Sequence, residues 1–355
     1  MSGSATRSTE PGENDPGFVA PGRIRADHEG GPEGVGQGPA EGDGPRVGGA
    51  RFDPSGADEQ VALTERCAIW GVLNVTPDSF SDGGRYLAPE AALSHARAMV
   101  AAGADVIDVG GESSRPKGKT YGEGFEVVDA EEERRRVIPV VEALVAEGIP
   151  VSVDTVKGAV ARPALAAGAR FINDVSMGAD PALLAAVAEA GAELVLMHTR
   201  SRGDCAPGEV RPPNSVYGDV VEETRAELEE AAGRAEAAGV APERVWLDPG
   251  IGFAKTAEQS GAVLAATARF VAGGRPVLIG ASRKSFIGQL APRADGTAPK
   301  PDERLPGSLV AVTLAVLGGA RAVRVHDVAE SHQAVRLAER LGRGAVPGTL
   351  RGGSR

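Results

Sequence analysis

The chain has 355 residues, of which 42% are hydrophobic and 25% charged, and its formal net charge is −11 at pH 7. This acidic surplus argues against a general binder of nucleic acid or anionic membranes, although a local cluster of Arg and Lys can still bind an anionic substrate. Cys67 and Cys205 form neither a disulfide framework nor a zinc-binding pattern, as is typical of cytosolic proteins. No apolar run reaches the roughly 18 residues of a membrane span, and the start lacks the apolar core of a secretory signal, so we expect a cytoplasmic protein.

Residues 1–60 consist mainly of Gly, Pro, Ser and charged residues, with almost no aliphatic periodicity. Such a segment buries too little apolar surface to offset the entropy lost on ordering, so we predict a disordered extension. The folded domain is predicted over residues 61–343 and a flexible tail over residues 344–355.

Short apolar strands alternate with helices through the rest of the chain. The strands are predicted at Cys67–Val75, Asp105–Val109, Ile149–Val153, Phe171–Asn173, Glu193–Met197, Arg244–Leu247, Pro276–Gly280 and Ala322–Val325. The helices are predicted at Pro89–Ala102, Glu131–Glu147, Ala159–Ala167, Pro181–Ala190, Asp219–Ala238, Ala257–Val271, Leu305–Leu317 and Val328–Leu341. This rhythm predicts an α/β fold, specifically a (β/α)8 TIM barrel. A doubly wound open sheet is less favoured, because it concentrates its binding residues at one switch point.

Two charged segments have structural interpretations. Glu131–Glu133 followed by Arg134–Arg136 predicts three i,i+3 ion pairs on a solvated helix face. The segment Arg293–Glu303 is predicted to be a mobile surface insertion.

Polar residues stand at the carboxyl end of nearly every predicted strand. They are Asn74, Asp108, Asp154, Asn173, His198, Asp248, Ser282, Arg283, Lys284, Arg324 and His326. Any one of them is also explained as a helix cap or a turn residue. In a barrel, however, all of these strand ends meet at one mouth, which indicates a functional site.

These residues divide into two chemical groups. The first offers acceptors, an amide and an ammonium that suit the edge of a flat heterocycle: Asp154, Asn173, Asp248 and Lys284. The second suits a phosphate or diphosphate: Arg115, Arg283, Arg324 and His326. The side-chain oxygen of Asn74 is a hard ligand that fits Mg²⁺, whose other ligands are usually water and substrate phosphates.

Several long motifs resemble the dihydropteroate synthase family of pterin-binding TIM barrels. They are NVTPDSFSDGG at 74–84, DVGGESSRP at 108–116, SVDT at 152–155, INDV at 172–175, LMH at 196–198, LDPGIGFAK at 247–255, GASRKS at 280–285 and RVHDV at 323–328. The resemblance extends over about residues 66–342. It implies condensation of 6-hydroxymethyl-7,8-dihydropterin diphosphate with p-aminobenzoate, giving 7,8-dihydropteroate and pyrophosphate.

The resemblance also implies roles for individual residues, a Mg²⁺ ion at Asn74 and a homodimer. The pterin would meet Asp108, Asp154, Asn173, Met197, Asp248, Gly252, Lys284 and Arg324. The diphosphate would meet Asn74, Ser114, Arg115, Ser282, Arg324 and His326. The p-aminobenzoate would meet Phe80, Ser114, Pro116, Phe253 and Ser285. The catalytic set would be Asp82, Arg115, Asp154, Asp248, Lys284, Arg324 and His326.

The sequence departs from the family pattern in two loops, and two other functions compete. Lys117–Val128 makes the second loop longer than the family pattern, and Thr199–Arg202 is more charged. The alternatives are a pterin-dependent methyltransferase-type domain and a catalytically silent paralogue. The first needs no diphosphate site, and the second should lose the loop motifs, so the synthase is the favoured prediction.

Overall fold

The structure is a computed structural model that describes residues 66–75, 87–112, 128–200 and 216–342. The predicted extension at 1–60 and the predicted tail at 344–355 lie outside these residues. Within the described part of the chain, no helix combines the length and the apolar character needed to cross a membrane.

The described strands form one parallel sheet. They are β1 (Ala68–Asn74), β2 (Val106–Gly110), β3 (Val151–Asp154), β4 (Phe171–Asp174), β5 (Glu193–Met197), β6 (Val245–Asp248), β7 (Leu278–Ile279) and β8 (Ala322–Val325). Their order is β6-β5-β4-β3-β2-β1-β8-β7. A parallel bridge between Leu247 and Val277 joins the two outermost strands, so the sheet closes on itself. The predicted (β/α)8 TIM barrel is confirmed.

Helices connect successive strands on the outside of the barrel. They are α1 (Leu87–Ala101), α2 (Ala130–Ala146), α3 (Gly158–Ala166), α4 (Pro181–Ala190), α5 (Val220–Ala237), α6 (Ala257–Ala265), α7 (Thr267–Val271), α8 (Ser285–Leu290), α9 (Leu305–Leu317) and α10 (Val328–Gly342). Asp129, Asp180 and Asp219 accept hydrogen bonds from backbone N–H groups in the first turns of α2, α4 and α5. These caps satisfy donors that a helix start leaves without partners, and they fix where each helix begins.

An aromatic cluster fills the inside of the barrel. The ring centroid of Trp70 lies 4.7 Å from that of Phe171 and 5.9 Å from that of Trp246. The same cluster contains Ala68, Val106, Val195, Leu278 and Ala322, all buried. Because side chains two apart on a strand face the same side, the residues two positions further on face the mouth of the barrel. Those residues include Asp108, Asn173, Asp248 and Arg324.

Three predictions about the elements were wrong or incomplete. The helix predicted at Ala257–Val271 is two helices, α6 and α7, with a break at Ala266 where the Thr267 hydroxyl donates to the carbonyl of Leu264 at 2.7 Å. β7 is shorter than predicted, and the short helix α8 was missed. The remaining boundaries agree to within about two residues, the usual uncertainty of helix and strand ends.

The charged start of α2 also differs from prediction. Arg134 and Arg135 form the expected i,i+3 pairs with Glu131 and Glu132, but the third expected pair is absent from this helix, because Glu133 is buried. Its carboxylate binds Lys157 at 2.5 Å instead. The helical periodicity predicted the spacing of these charges. It could not predict which face of α2 is buried against neighbouring residues.

Replacing Trp70 with Ala should lower the free energy of unfolding by about 3–5 kcal/mol, because the void cannot be refilled between two other rings. Chemical denaturation measures this loss. Val216→Ala, at a side chain 91% exposed, is the control and should change stability by less than about 0.5 kcal/mol. Equal losses in the two variants would contradict the assignment of the cluster as the barrel core.

Candidate functional site

A cavity of about 180 Å³ opens at the carboxyl ends of the strands. It collects residues from seven of the eight strands or the turns that follow them, and from one segment between α8 and α9. Its lining is Val72, Asn74, Asp154, Asn173, Val175, Met197, Asp248, Gly252, Phe253, Gly280, Ser282, Arg283, Lys284, Pro301, Arg324 and His326. A concave site that combines apolar side chains with a few convergent polar groups is typical of small-molecule binding.

A charged cluster forms one wall of the cavity. The Nε of Arg324 donates to Asp108 at 2.5 Å, and its Nη2 donates to Asp154 at 2.9 Å. Asn173 donates from Nδ2 to the same Asp108 oxygen at 3.3 Å. Since the Asp108 side chain is fully buried, the guanidinium supplies the counter-charge that this carboxylate needs.

Two polar atoms in this wall are buried without a hydrogen-bond partner among the described residues. They are Oδ1 of Asp108 and Oδ1 of Asn173. Buried oxygen atoms of this kind cost free energy unless something donates to them. Because Asn173 lines the cavity, a ligand N–H group is the natural donor to its oxygen.

A second wall of the cavity carries Asp248, Lys284 and Phe253. Asp248 accepts a hydrogen bond from the Gly250 N–H at 2.8 Å. The Lys284 ammonium donates to the Ile251 carbonyl and lies 4.5 Å from the centre of the Phe253 ring. Burial raises the pKa of Asp248. Burial also lowers the pKa of Lys284 to about 8, although the negative charge of Asp248 acts to raise it.

A close approach of the backbone completes this wall. Gly252 has φ +81°, and a Cβ there would lie 3.2 Å from the Lys284 side chain. A larger residue would therefore be strained and would also push the lysine stem away from its present position. The sequence shows Gly252 only as part of a motif. The positive φ and the close approach to Lys284 explain why this position is a glycine.

The rim of the cavity contains His326, Ser282 and Arg283, and Asp327 lies beside it as the partner of Arg283. His326 Nδ1 lies 3.2 Å from Ser282 Oγ, and Arg283 Nε donates to Asp327 at 2.9 Å. Imidazole, hydroxyl and guanidinium groups together suit an anion with several oxygen atoms.

Asn74 is the one residue assigned to a metal from the sequence, and it lines the cavity at the end of β1. Within the described residues there is no group of three or more His, Cys, Asp or Glu side chains that could hold a metal. A single amide oxygen therefore fits Mg²⁺, which takes its other ligands from water and substrate phosphates.

The structure brings most of the predicted site residues together. Twelve of them line the cavity: Asn74, Asp154, Asn173, Met197, Asp248, Gly252, Phe253, Ser282, Arg283, Lys284, Arg324 and His326. Two further predicted residues do not line the cavity. Asp108 binds Arg324 from behind, and Ser285 is the first residue of α8. Phe80, Asp82, Ser114, Arg115 and Pro116 lie outside the described residues. Their roles stay predictions.

Sequence reasoning missed several lining residues. Val72 and Val175 are apolar and carry no chemical signal, although strand periodicity places Val72 on the same face as Trp70 and Asn74. Pro301 comes from the segment that was predicted to be a surface insertion. No local pattern could have placed it at the cavity, because its position depends on how the segment folds back.

His198 does not face the mouth as predicted. It is fully buried, with Nε2 3.0 Å from Glu227 and Nδ1 2.8 Å from the ammonium nitrogen of Lys255. Lys255 also donates to the carbonyls of Gly250 and Phe253 at 3.3 and 3.4 Å. This network, which we call the His198 network, ties the loop after β6 to α5 and so supports Phe253 from behind.

Two groups of the His198 network have lowered pKa values. Burial lowers the pKa of His198 to about 4 and that of Lys255 to about 7. If His198 is neutral, it donates a hydrogen bond from Nε2 to Glu227 and accepts one at Nδ1 from Lys255, so each of the three side chains has a hydrogen-bond partner. Gly250 makes the close packing possible, because a Cβ there would lie 1.9 Å from the His198 carbonyl oxygen.

Comparisons with known proteins agree with this geometry. The sequence profile of the family described as pterin binding enzyme matches residues 70–326. The dihydropteroate synthase of Mycobacterium leprae is 51% identical over 76% of this chain and 91% of its own length. That of Escherichia coli K12 is 43% identical over 76% of this chain and 90% of its own length.

Solved structures of relatives have the same fold. Dihydropteroate synthase of Xanthomonas albilineans with 4-aminobenzoic acid matches with a TM-score of 0.70 and 43% identity, over 80% of this chain and 95% of the other. The enzyme of the same organism in complex with 7,8-dihydropteroate matches with a TM-score of 0.67 and 41% identity, over 80% and 96% of the two chains.

Replacing Lys255 with Met should remove part of the pH dependence of stability. Between pH 7 and 10.5 the unfolded chain holds a proton on Lys255 that the folded chain has lost, so this residue makes stability rise with pH. Its contribution is at most about 1.4 kcal/mol per pH unit. Urea unfolding at pH 7 and pH 9 should give a smaller rise in K255M than in the unmodified chain.

The exposed Lys300→Met variant serves as the control and should keep the slope of the unmodified chain. If K255M and K300M showed the same slope, the lowered pKa of Lys255 would be refuted.

Proposed function

The chain belongs to the dihydropteroate synthase family, and from that premise we propose how residues of the barrel mouth carry out its reaction. The enzyme condenses 6-hydroxymethyl-7,8-dihydropterin diphosphate with p-aminobenzoate, giving 7,8-dihydropteroate and pyrophosphate (EC 2.5.1.15). Its site residues, its metal ion, its oligomeric state and its cytoplasmic location are our proposals. The last rests on the two cysteines, whose positions give no disulfide framework.

The pterin is assigned to the slot that these two charged walls line. Its ring N–H and amino groups would donate to Asp154, Asp248 and the unpartnered oxygen of Asn173. The ring carbonyl would accept from Lys284, with Met197 and Gly252 beside the ring and Arg324, backed by Asp108, against its face. The observation that carries this assignment is the buried oxygen of Asn173, which needs a donor that the described residues do not provide.

The diphosphate is assigned to the rim. Ser282, His326 and Arg324 offer donors there, and Ser114 and Arg115 would join them by motif position. Asn74 would hold Mg²⁺ with oxygen atoms of the diphosphate. When bound, the ion would neutralise charge on the leaving group.

The p-aminobenzoate would lie against Phe253 and Ser285, with Phe80, Ser114 and Pro116 assigned by motif position alone. Its amine nitrogen forms a bond to the pterin methylene carbon while the bond from that carbon to the diphosphate oxygen breaks. The amine then loses a proton. An arylamine is a weak nucleophile, so stabilising the departing diphosphate matters more than activating the amine with a base.

The side chains of the site stabilise the positive charge that develops on the pterin and the negative charge that develops on the departing diphosphate. Asp154 and Asp248 favour an electron-poor pterin ring, and His326 and Arg324 favour the departing anion. Among motif residues outside the described part of the chain, Asp82 and Arg115 complete the proposed catalytic set.

Purified protein should release pyrophosphate and form dihydropteroate only with both substrates and Mg²⁺ present, and removal of Mg²⁺ with a chelator should stop turnover. Lys284→Ala and Arg115→Ala should each lower kcat/KM at least about 100-fold, because each removes a charge at the reacting substrates. Arg162→Ala, at an exposed pair with Glu189, is the control and should keep full activity.

Pterin binding without product formation would instead support the silent paralogue. Full turnover after chelation would contradict the Mg²⁺ assignment at Asn74 while leaving the reaction itself in place.

We propose that the chain is a homodimer through an apolar face on α9 and α10. Five large apolar side chains on these helices are 44–61% exposed: Val310, Leu314, Leu317, Leu337 and Leu341. Their spacing of three and four residues places them along one side of each helix. Exposed apolar clusters of this kind are typical of subunit interfaces, and cyclic dimers are the commonest assembly.

Sedimentation should therefore give twice the 36.2 kDa mass of one chain. Leu314→Glu combined with Leu337→Glu should give a monomer, because two buried charges would face an apolar surface. Leu290→Glu, at a side chain 48% exposed on α8, is the control and should remain a dimer. A dimer that survives the double substitution would place the interface elsewhere.

A further inference from the structure

The turn between β7 and α8 contains a backbone conformation that is unusual for its residue. Arg283 has φ +59°, in the left-handed region that residues with a Cβ avoid. Its two neighbours, Ser282 and Lys284, both line the cavity. A residue held in this region at a functional site must be kept there by the surrounding structure.

Three anchors from different places hold Arg283. Its backbone N–H donates to the Ser308 hydroxyl at 2.9 Å, and its backbone carbonyl accepts from Nη1 of Arg304 at 2.9 Å. Its own guanidinium donates from Nε to Asp327 at 2.9 Å. The backbone donor, the backbone acceptor and the side chain of Arg283 are therefore each fixed separately.

Arg304 is the one anchor that no local sequence pattern predicts. It ends the 3-10 helix Pro301–Arg304, and it is only 3% exposed. Its Nε donates to the Pro299 carbonyl at 2.9 Å, and its own carbonyl accepts from the Ser308 hydroxyl at 2.9 Å. Arg304 thus connects the segment 291–304 to the turn and to the start of α9.

The same segment reaches the cavity directly. Pro301, three residues before Arg304, lies in the lining together with Arg283 and Lys284. A guanidinium is costly to bury without acceptors, and two backbone carbonyls provide them here. The burial and the two hydrogen bonds point to a structural link between this segment and the turn, which a solvent-exposed insertion would not require.

We propose that Arg304 is a positioning residue of the synthase, which holds the left-handed turn at Arg283 and thereby places Ser282 and Lys284 in the site. The inference rests on the proposed function for what Ser282 and Lys284 contact. It makes the segment 291–304 part of the site's framework. Arg304 acts through the backbone of Arg283, with no contact of its own to the reacting groups.

The first test is Arg304→Gln in the full chain, compared with Arg293→Gln. Arg293 lies in the same segment and pairs with Glu303 at the surface, so it is a matched control. R304Q should weaken binding of 6-hydroxymethylpterin, measured by calorimetry, and lower kcat/KM for the pterin diphosphate, each at least about 10-fold. R293Q should stay within twofold in both. Equal behaviour of the two variants would overturn the proposal.

The decisive measurement is a double-mutant cycle with Arg283→Gly. Glycine adopts a positive φ at little cost, so the turn depends much less on Arg304. The loss of the pair with Asp327 is common to both variants that carry Arg283→Gly and cancels in the cycle. The effect of R304Q on pterin affinity should shrink from at least 10-fold to less than about 3-fold when Gly occupies position 283. An undiminished effect would show that Arg304 acts by another route, and would overturn the proposal.

Arg304→Lys covers the case in which R304Q does not fold. A lysine can reach one of the two carbonyls, so R304K should fold, give an intermediate loss and show the same dependence on Arg283→Gly. Pterin binding without turnover by the unmodified chain would refute the proposed function but leave this test intact, because the affinities still report on the turn.

Discussion

A buried positive charge between two buried carboxylates is the interaction on which the site depends. Arg324 binds Asp108 and Asp154, and neither carboxylate is exposed by more than 10% of its side chain. Such an arrangement is stable only when every charge keeps its partner, because a lone buried ion is strongly destabilising. The closed parallel barrel keeps these partners together by setting strands β8, β1, β2 and β3 side by side, in a register that pairs Arg324 with Trp70 and Asp108 with Ser152.

The aromatic cluster and the polar site are two levels of the same strands. Trp246 precedes Asp248 by two residues, and Phe171 precedes Asn173 by two. Each of these aromatic side chains therefore packs beneath a polar side chain that faces the mouth of the barrel. The packed cluster excludes water from beneath the site, which strengthens the electrostatic interactions there. Stability and chemistry therefore come from alternate positions on the same short strands.

Two supports outside the cavity fix the groups that a substrate would meet. The His198 network fastens the loop that carries Phe253, and Arg304 with Ser308 and Asp327 fastens the turn that carries Lys284. Lys284 lies over the Phe253 ring, so the two supports meet at one contact. A site held from behind in this way loses less entropy on binding than one built from free loops.

The barrel and most of the cavity lining could be predicted from the sequence. Strand periodicity, the repeating helices and the polar strand ends needed only local patterns, and parallel strands bring their ends to one mouth. Three features could be read only from the folded chain: Glu133 pairs with Lys157, His198 points away from the mouth, and Arg304 is buried. Each of these depends on contacts between residues more than 20 positions apart. Local patterns carry no information about which buried acceptor such a charge will meet.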